Sequence, residues 1–179
     1  MGFQRYHRAA HKTNPLNRGF KERTICDDLT TFLHSGYNIE IIAGKQIEGG
    51  SSKRRPDMLI SFETYCIIVE IDERQHRSYS NEDDEQRLTD LINDLQGRKL
   101  VLIRFNPDSY KDANRVNRRS LFSKTRGARI YQIACPHKYE ERMNKLKKLL
   151  EHYLTNAPEQ TYVEHRLYYD KFDPGASIV

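Results

Sequence analysis

The stretch RRPDMLISFETYCIIVEIDERQH, residues 54–76, decides which fold this chain can adopt. Two apolar runs, 55–62 and 65–72, flank the pair Glu63-Thr64, a pattern typical of two antiparallel strands joined by a tight turn. Both runs carry acidic residues where a half-buried strand normally has Val or Leu. A carboxylate beside a hydrophobic core costs on the order of several kcal/mol unless a cation meets it. The same stretch therefore indicates a candidate functional site.

The sequence on either side of this hairpin alternates between helical and strand patterns. Apolar residues recur at helical spacing in three segments, and the continuous apolar run KLVLIRFN favours a central or parallel strand. The expected helices are 18–34, 81–97 and 136–154, and the further expected strands are 37–47, 99–106 and 129–134. This order predicts an α/β domain with a mixed sheet of four to five strands flanked by helices.

Length and cysteine content limit the organisation and the compartment. The chain of 179 residues is long enough for one domain with its own core. Its three cysteines form no CxxC pair, which favours a reducing compartment. No apolar segment has the length of a signal-peptide core or a membrane span, so we expect a protein of the cytoplasm or nucleus, neither secreted nor membrane-bound. The expected parts are a basic N-terminal arm over 1–17, a single domain over 18–154 and a C-terminal tail over 155–179.

Three carboxylates of the hairpin are expected to meet. Side chains alternate along a strand, so Glu70 and Asp72 project from the same face. If the two runs pair around Glu63-Thr64, the numbers of opposed residues sum to about 127, which places Asp57 opposite Glu70. Carboxyl groups this close cannot all ionise without a cation, and oxygen-rich sites suit Mg²⁺ or Mn²⁺.

The alternative is an ordinary charged strand end. In this interpretation Asp57 is a turn residue after Pro56, and Arg54, Arg55 and Arg74 neutralise the other carboxylates by salt bridges. Spacing alone leaves both interpretations open.

A fourth acid, Glu22, falls on the apolar stripe of the first expected helix. On a helical wheel it lies within about 40° of Cys26, Leu29 and Leu33. A glutamate aimed from there at the sheet would join the carboxylates, directly or through water. The alternative is that Glu22 occupies the first turn, complements the helix dipole and reaches solvent.

Three polar residues close to the carboxylates are further candidates. His76 follows Asp72 by four residues and could orient a nucleophilic water or protonate a leaving oxygen, although a lone histidine is more often structural. Gln75 could hydrogen-bond the same phosphate. Arg87 could contact a phosphate or pair with an acid of its own helix, Asp83 or Asp84.

These residues occur in a series that resembles a known family. Glu22, RPD at 55–57, VEIDERQH at 69–76, EQRLTDLINDL at 85–95 and KLVLIRFNPDSY at 99–110 are similar to the PD-(D/E)XK nuclease superfamily. The resemblance is greatest to the branch of the very-short-patch repair endonuclease and of homing endonucleases with an E-D-x-H-D pattern. Similar small proteins are encoded by large DNA viruses and protists. The resemblance covers about residues 18–110.

The resemblance implies a restriction-endonuclease-like core and Mg²⁺-dependent hydrolysis of phosphodiester bonds. It implies that Glu22 is the helix-borne acid, Asp57 the metal-binding aspartate and Glu70 the acid of the E-x-K element. Asp72 stands where that element has its lysine, a departure that fits the very-short-patch-like branch. In that branch a histidine takes part in catalysis, a role that His76 would fill.

Basic segments on both sides of the carboxylates predict a nucleic-acid partner. The chain carries 30 Lys and Arg against 25 Asp and Glu, and seven of these basic residues fall in 111–129 beside one Asp. Basic arms and loops next to an anionic metal site suit a phosphodiesterase, although a charge run is usually a solvated surface. The expected contacts with DNA are Lys53, Arg54, Arg55, Arg87, Arg115, Arg118, Arg119, Lys124 and Arg126.

The sequence thus predicts an endonuclease that uses Mg²⁺ or Mn²⁺ and hydrolyses DNA, double-stranded more readily than RNA, in a homing or repair role. The expected catalytic residues are Glu22, Asp57, Glu70, Asp72, Gln75 and His76, with Asp57, Glu70 and Asp72 as metal ligands. Two alternatives remain: a nuclease-fold protein that binds nucleic acid without cutting it, and an interaction protein whose acids are salt-bridged internally. Cutting both strands needs two sites, which a two-fold dimer would supply.

Overall fold

The structure is a computed structural model that describes residues 19–37, 39–76, 81–125 and 131–176. The segment 1–17, expected to be a basic arm, lies outside the described residues. In chain order the helices are α1 (Phe20–Gly36), α2 (Asn81–Asp94) and α3 (Pro136–Thr155), with a short 3-10 helix at Glu73–His76. The strands are β1 (Ile41–Ile42), β2 (Met58–Ser61), β3 (Tyr65–Ile71), β4 (Lys99–Phe105), β5 (Tyr110–Lys111), β6 (Asn117–Arg118), β7 (Phe122–Lys124), β8 (Tyr131–Ile133) and β9 (Tyr162–Leu167).

One mixed sheet of five strands forms the centre of the domain, in the order β1-β2-β3-β4-β9. β2 runs antiparallel to both β1 and β3, whereas β4 lies parallel to both β3 and β9. The continuous apolar run of β4 is explained by this position, because a parallel strand between two others is covered on both faces. The expected α/β architecture with a mixed, helix-flanked sheet is confirmed.

The hairpin of β2 and β3 has the register that its sequence predicts. Met58 pairs with Val69 and Ser61 with Cys66, so the residue numbers of each pair sum to 127. The short turn at Glu63-Thr64 and the period-two alternation fix this register, because a slip by one residue would exchange the two faces of each strand.

The two faces of the sheet are covered by different helices. α1 and α3 pack on the face that carries Ile67, Val69 and Ile71. α2 packs on the other face, where Leu91 and Leu95 contact Ile68. Glu70, near the C-terminal end of β3, therefore projects toward α2 and away from the larger core.

The segment after Thr155 is part of the domain, which corrects the expected C-terminal tail. β9 pairs with β4 over six residues, and Leu167 and Tyr168 are buried in the core. The sequence YVEHRL is short and interrupted by charges, and its strand character comes from pairing with β4. The domain thus extends well past residue 154.

Two smaller differences concern the outer strands. The expected strand 37–47 is reduced to Ile41–Ile42, because Gly44 takes a left-handed conformation, with φ of 60°, and turns the chain. The polar segment 107–125 contains short strands rather than only loop, as β5 pairs with β6 and β7 with β8. In the described part of the chain, every helix is too short or too polar to cross a lipid bilayer.

Candidate active site

A cleft of about 380 Å³ opens where the ends of β2 and β3 meet α1 and α2. Its walls carry five carboxyl groups and two guanidinium groups, those of Glu22, Asp57, Glu70, Asp83, Asp84, Arg54 and Arg87. Carboxylates from four separate segments of the chain are thus collected in one place, which sequence separation alone would not suggest.

Asp57 is fixed by the backbone of the neighbouring strand. Its Oδ2 atom accepts a hydrogen bond of 2.7 Å from the N–H of Ile71. Continuing the register of the hairpin by one pair places Asp57 beside Glu70, as predicted. Burial raises the pKa of Asp57 to about 8, and the charges of Glu70 and Glu22 act in the same direction.

Glu70 is nearly inaccessible, with 4% of its surface exposed, and its partner is Arg87. Nη2 of Arg87 donates to both carboxylate oxygens of Glu70, at 2.7 and 2.8 Å. Burial raises the pKa of Glu70 to about 7, although the positive charge of Arg87 lowers it. Arg87 therefore pairs with an acid of the sheet, and not with Asp83 or Asp84 as one of the sequence interpretations supposed.

Glu22 lies in the first turn of α1, half-buried, and lines the cleft. Burial and the nearby charge of Glu73 raise the pKa of the Glu22 carboxyl. The position of Glu22 on the cleft wall agrees with the interpretation in which it joins the carboxylates of the sheet. Its place in the first turn of α1 agrees with the alternative interpretation.

Asp72 is engaged by other side chains in this arrangement, and its expected role in metal binding stays a prediction. The side chain is fully buried, and its carboxylate accepts hydrogen bonds from Nε of Arg104 and from the hydroxyl of Tyr169. Arg104 also donates to Asp84, at 3.0 Å. Asp72 thus anchors a buried ion-pair network between β3, β4 and the segment after β9, because a buried carboxylate needs such partners.

Gln75 also has a structural partner. Its side-chain amide donates to Oδ1 of Asp170 at 3.2 Å, and its oxygen accepts from the N–H of Asp170 at 2.9 Å. Both ends of the amide are engaged by the segment after β9, and the expected contact of Gln75 with a phosphate stays a prediction. His76 ends the short 3-10 helix, and its side chain lies outside the described part of the structure.

The motif NPD at 106–108 has a structural role that the sequence alone did not reveal. Asp108 accepts hydrogen bonds from Nζ of Lys21 at 2.7 Å and from the N–H of Arg74 at 3.0 Å. Lys21 is buried and also pairs with Glu73, at 3.1 Å. The network ties α1 to the turn after Asp72, and the only sequence signal for it was a lysine on an apolar helix face.

Asp94, at the end of α2, is a second residue whose role sequence analysis missed. It is buried and accepts hydrogen bonds from the backbone N–H groups of Ser51 and Ser52, at 2.7 and 2.9 Å. A Cβ atom on Gly50 would lie 2.6 Å from Cγ of Asp94, so only glycine allows this approach. Asp94 thereby holds the loop that leads to Asp57.

The residues expected to contact DNA fall into two groups. Arg54 pairs with Asp90 at 2.8 Å, and Arg118 pairs with Asp112 at 2.7 Å. Arg126 lies outside the described residues. The side chains of Lys53, Arg55, Arg115, Arg119 and Lys124 are exposed.

Asp57 and Glu70 offer carboxylate oxygens, the ligand type that hard divalent cations prefer. Among residues 19–37, 39–76, 81–125 and 131–176, no three His, Cys, Asp or Glu side chains are grouped so that they could hold a metal ion. Two carboxylates are nevertheless a common protein contribution to a Mg²⁺ site, where water and substrate phosphate supply the other ligands. The oxygen-only donor set, with two adjacent carboxyls whose pKa values are raised, fits Mg²⁺ or Mn²⁺.

Comparisons with protein-family models, with curated protein sequences and with solved structures find no match to this chain. The assignment to the nuclease superfamily stays a prediction from the sequence resemblance.

Proposed function

We propose that this protein is an endonuclease that hydrolyses phosphodiester bonds of DNA with Mg²⁺ or Mn²⁺. The observation that carries the proposal is the pair Asp57 and Glu70, a half-buried carboxylate just before β2 and a buried one on β3, which line one open cleft. Like-charged side chains that the fold holds close together, with shifted pKa values, are often found at functional sites. The sequence resemblance to PD-(D/E)XK nucleases supports the same conclusion independently.

Asp57 and Glu70 are the residues that would hold the ion. A bound Mg²⁺ or Mn²⁺ lowers the pKa of water and neutralises charge that develops on a phosphate. The chain itself keeps Asp57 oriented through the N–H of Ile71 and keeps Glu70 out of bulk water. Glu22 and Arg87 contribute one more carboxylate and one cation to the cleft wall.

DNA is the proposed substrate because exposed basic side chains lie on segments adjoining the cleft in sequence or following it. Lys53 and Arg55 immediately precede Asp57, and both are exposed. Lysine and arginine side chains would form ion pairs with DNA phosphates, so the affinity for duplex DNA is expected to fall steeply as the salt concentration rises. A homing or repair role is part of the proposal only through the family resemblance.

The decisive experiment is incubation of the purified protein with supercoiled plasmid in Mg²⁺, Mn²⁺ or EDTA. We expect nicked or linear DNA with either ion and intact plasmid with EDTA. Asp57→Asn should lose at least about a hundredfold in rate, while Asp27→Asn, the same change at an exposed position of α1, should not. Wild-type rates for Asp57→Asn would exclude the proposal. Linear product formed directly, together with a dimer in sedimentation, would support a two-fold dimer as the cutting unit.

A second candidate function is binding of nucleic acid without cleavage. It is favoured by the ion pairs that Glu70 and Asp72 form with Arg87 and Arg104, because these pairs engage two of the three expected metal ligands. Salt-dependent binding of a duplex with no cleavage in Mg²⁺ or Mn²⁺ would favour this candidate over the endonuclease.

A further inference from the structure

Arg87 occupies the position on Glu70 that a metal ion would need. A single nitrogen, Nη2, lies within 2.8 Å of both carboxylate oxygens, so it covers the side of the carboxylate that faces the cleft. Glu70 is 4% exposed, and it lines the cleft and a smaller neighbouring cavity together with Arg87. A guanidinium and a divalent cation on the same carboxylate would repel each other strongly in a site shielded from water. The two cations are therefore expected to compete for this carboxylate.

The surroundings of Arg87 allow the side chain to move. It stands between the cleft of about 380 Å³ and a smaller cavity of about 80 Å³ that is lined by Leu88, Leu91 and Leu102. Asp83 and Asp84 lie one turn earlier on α2, at the spacing of helical neighbours, and both line the cleft. The arginine thus has open space beside it, while Asp84 is already paired with Arg104.

We propose that Arg87 is an internal competitor of the metal ion, which holds Glu70 in the metal-free protein and turns to a substrate phosphate when the ion binds. The inference rests on the proposed function and extends it to the control of the same site. The planar guanidinium presents paired N–H groups that match a phosphate as well as a carboxylate. Binding of the ion and engagement of the nucleic acid are then coupled, because the ion releases the side chain that contacts the phosphate.

The first test measures Mn²⁺ binding by isothermal titration calorimetry in the absence of DNA. Arg87→Gln removes the competitor, and we expect its Mn²⁺ affinity to exceed that of the wild type by about tenfold or more. The matched control is Arg54→Gln, which removes a guanidinium from the same cleft but one that pairs with Asp90. Its Mn²⁺ affinity should change by less than about threefold, since only distant Coulomb interactions are altered.

Because Arg87→Gln leaves Glu70 buried without a partner, its folding is checked by circular dichroism, and Arg87→Lys is measured beside it. A lysine keeps the charge but is a compact, hydrated ammonium, so its Mn²⁺ affinity should lie between those of the wild type and Arg87→Gln. If Arg87→Gln binds Mn²⁺ no more tightly than Arg54→Gln, the competition is refuted while the metal site stands. If no variant binds Mn²⁺, the metal site and the competition are both refuted.

The second test concerns the contact of Arg87 with a phosphate, and it measures how duplex binding depends on salt concentration. Ca²⁺ is used as the divalent ion because it binds oxygen ligands. With EDTA, wild type and Arg87→Gln should show the same slope of log affinity against log salt, because Arg87 is bound to Glu70. With Ca²⁺ the slope of Arg87→Gln should be shallower by about one. Equal slopes under both conditions would overturn the transfer of Arg87 to a phosphate.

Discussion

At the scale of single residues, Asp57 and Glu70 are held in an environment that opposes their charge. Burial raises the pKa values to about 8 and about 7, well above those of the same residues in an unfolded chain. Between roughly pH 4 and pH 8 these two carboxyls consequently bind more protons in the folded protein than in the unfolded chain. The contribution of these two carboxyls to the free energy of unfolding therefore falls as the pH rises through this range when no metal is bound.

This sign gives a prediction for Asp57→Asn. The amide cannot ionise and can still accept a hydrogen bond from the N–H of Ile71, so the variant should avoid much of the loss at high pH. We expect it to be more stable than the wild type by about 1–2 kcal/mol at pH 8.5 and similar at pH 5. Urea denaturation in EDTA at both values measures this, with Asp27→Asn as the control. An unchanged pH dependence in Asp57→Asn would show that the carboxyl ionises normally.

A second residue-scale feature is the strained turn after Asp72. Arg74 and Gln75 both take left-handed backbone angles, with φ of 57° and 56°, although neither is glycine. The N–H of Arg74 binds Asp108 and that of Gln75 binds the carbonyl of Asp72, at 3.0 Å each. These bonds hold a conformation that costs on the order of 1 kcal/mol or more per residue.

The strain predicts the relative stability of two variants. Arg74→Gly and Arg74→Ala lose the same side-chain atoms beyond Cβ, but only glycine adopts a positive φ without steric strain. We expect Arg74→Gly to be more stable than Arg74→Ala by about 1 kcal/mol in urea denaturation. Equal stability of the two would mean that the turn is relaxed in solution.

At the scale of elements, α2 connects the stability of the domain to the position of the cleft. Its end holds the loop 49–52 through Asp94, and its middle supplies Arg87 to Glu70. The loop leads directly into Asp57, so a change in the anchoring of the loop is expected to affect the cleft as well as the free energy of unfolding.

Two aspartates of α2, four residues apart, test this connection. Asp94 is buried and accepts several hydrogen bonds, whereas Asp90 forms a partly exposed pair with Arg54. Asp94→Ala should lower the free energy of unfolding by about 3 kcal/mol, because it removes a buried carboxylate that accepts hydrogen bonds from the N–H groups of Ser51 and Ser52. Asp90→Ala should cost less than about 1 kcal/mol. A similar small loss in both variants, measured by urea denaturation, would contradict the anchoring role of Asp94.

At the scale of the whole molecule, β9 closes the sheet although it comes last in the chain. It covers the edge of β4, and the carbonyl of Tyr168, just after it, accepts a hydrogen bond of 2.7 Å from Asn106. The network of Asp72, Arg104 and Tyr169 joins the same segment to β3. The hairpin with the candidate site is therefore supported by residues about a hundred positions later in the sequence.

This arrangement predicts a large effect of a single truncation in β9. Leu167 is 1% exposed, so Leu167→Ala should lower the free energy of unfolding by about 3 kcal/mol through lost burial and the cavity left behind. Ile133→Ala is the control, since Ile133 is 38% exposed and its truncation should change stability by less than about 0.5 kcal/mol. Thermal or urea denaturation that finds no difference would mean that the segment behaves as a tail.

The sequence by itself determined the local parts of this protein. Alternation of side chains and a short turn were enough to predict the hairpin register, because both act over a few residues. The apolar run of β4 indicated its central place, and the same register predicted that Asp57 and Glu70 lie side by side.

Only the tertiary structure decided the partners of these groups. Arg87 meets Glu70, Arg104 and Tyr169 hold Asp72, and Asp170 engages Gln75, which changes the interpretation of three expected site residues. Such pairs depend on how helices and strands distant in the chain pack against the sheet. Packing joins residues that no period or spacing relates, so a buried charge can be recognised from the sequence while its counter-ion cannot.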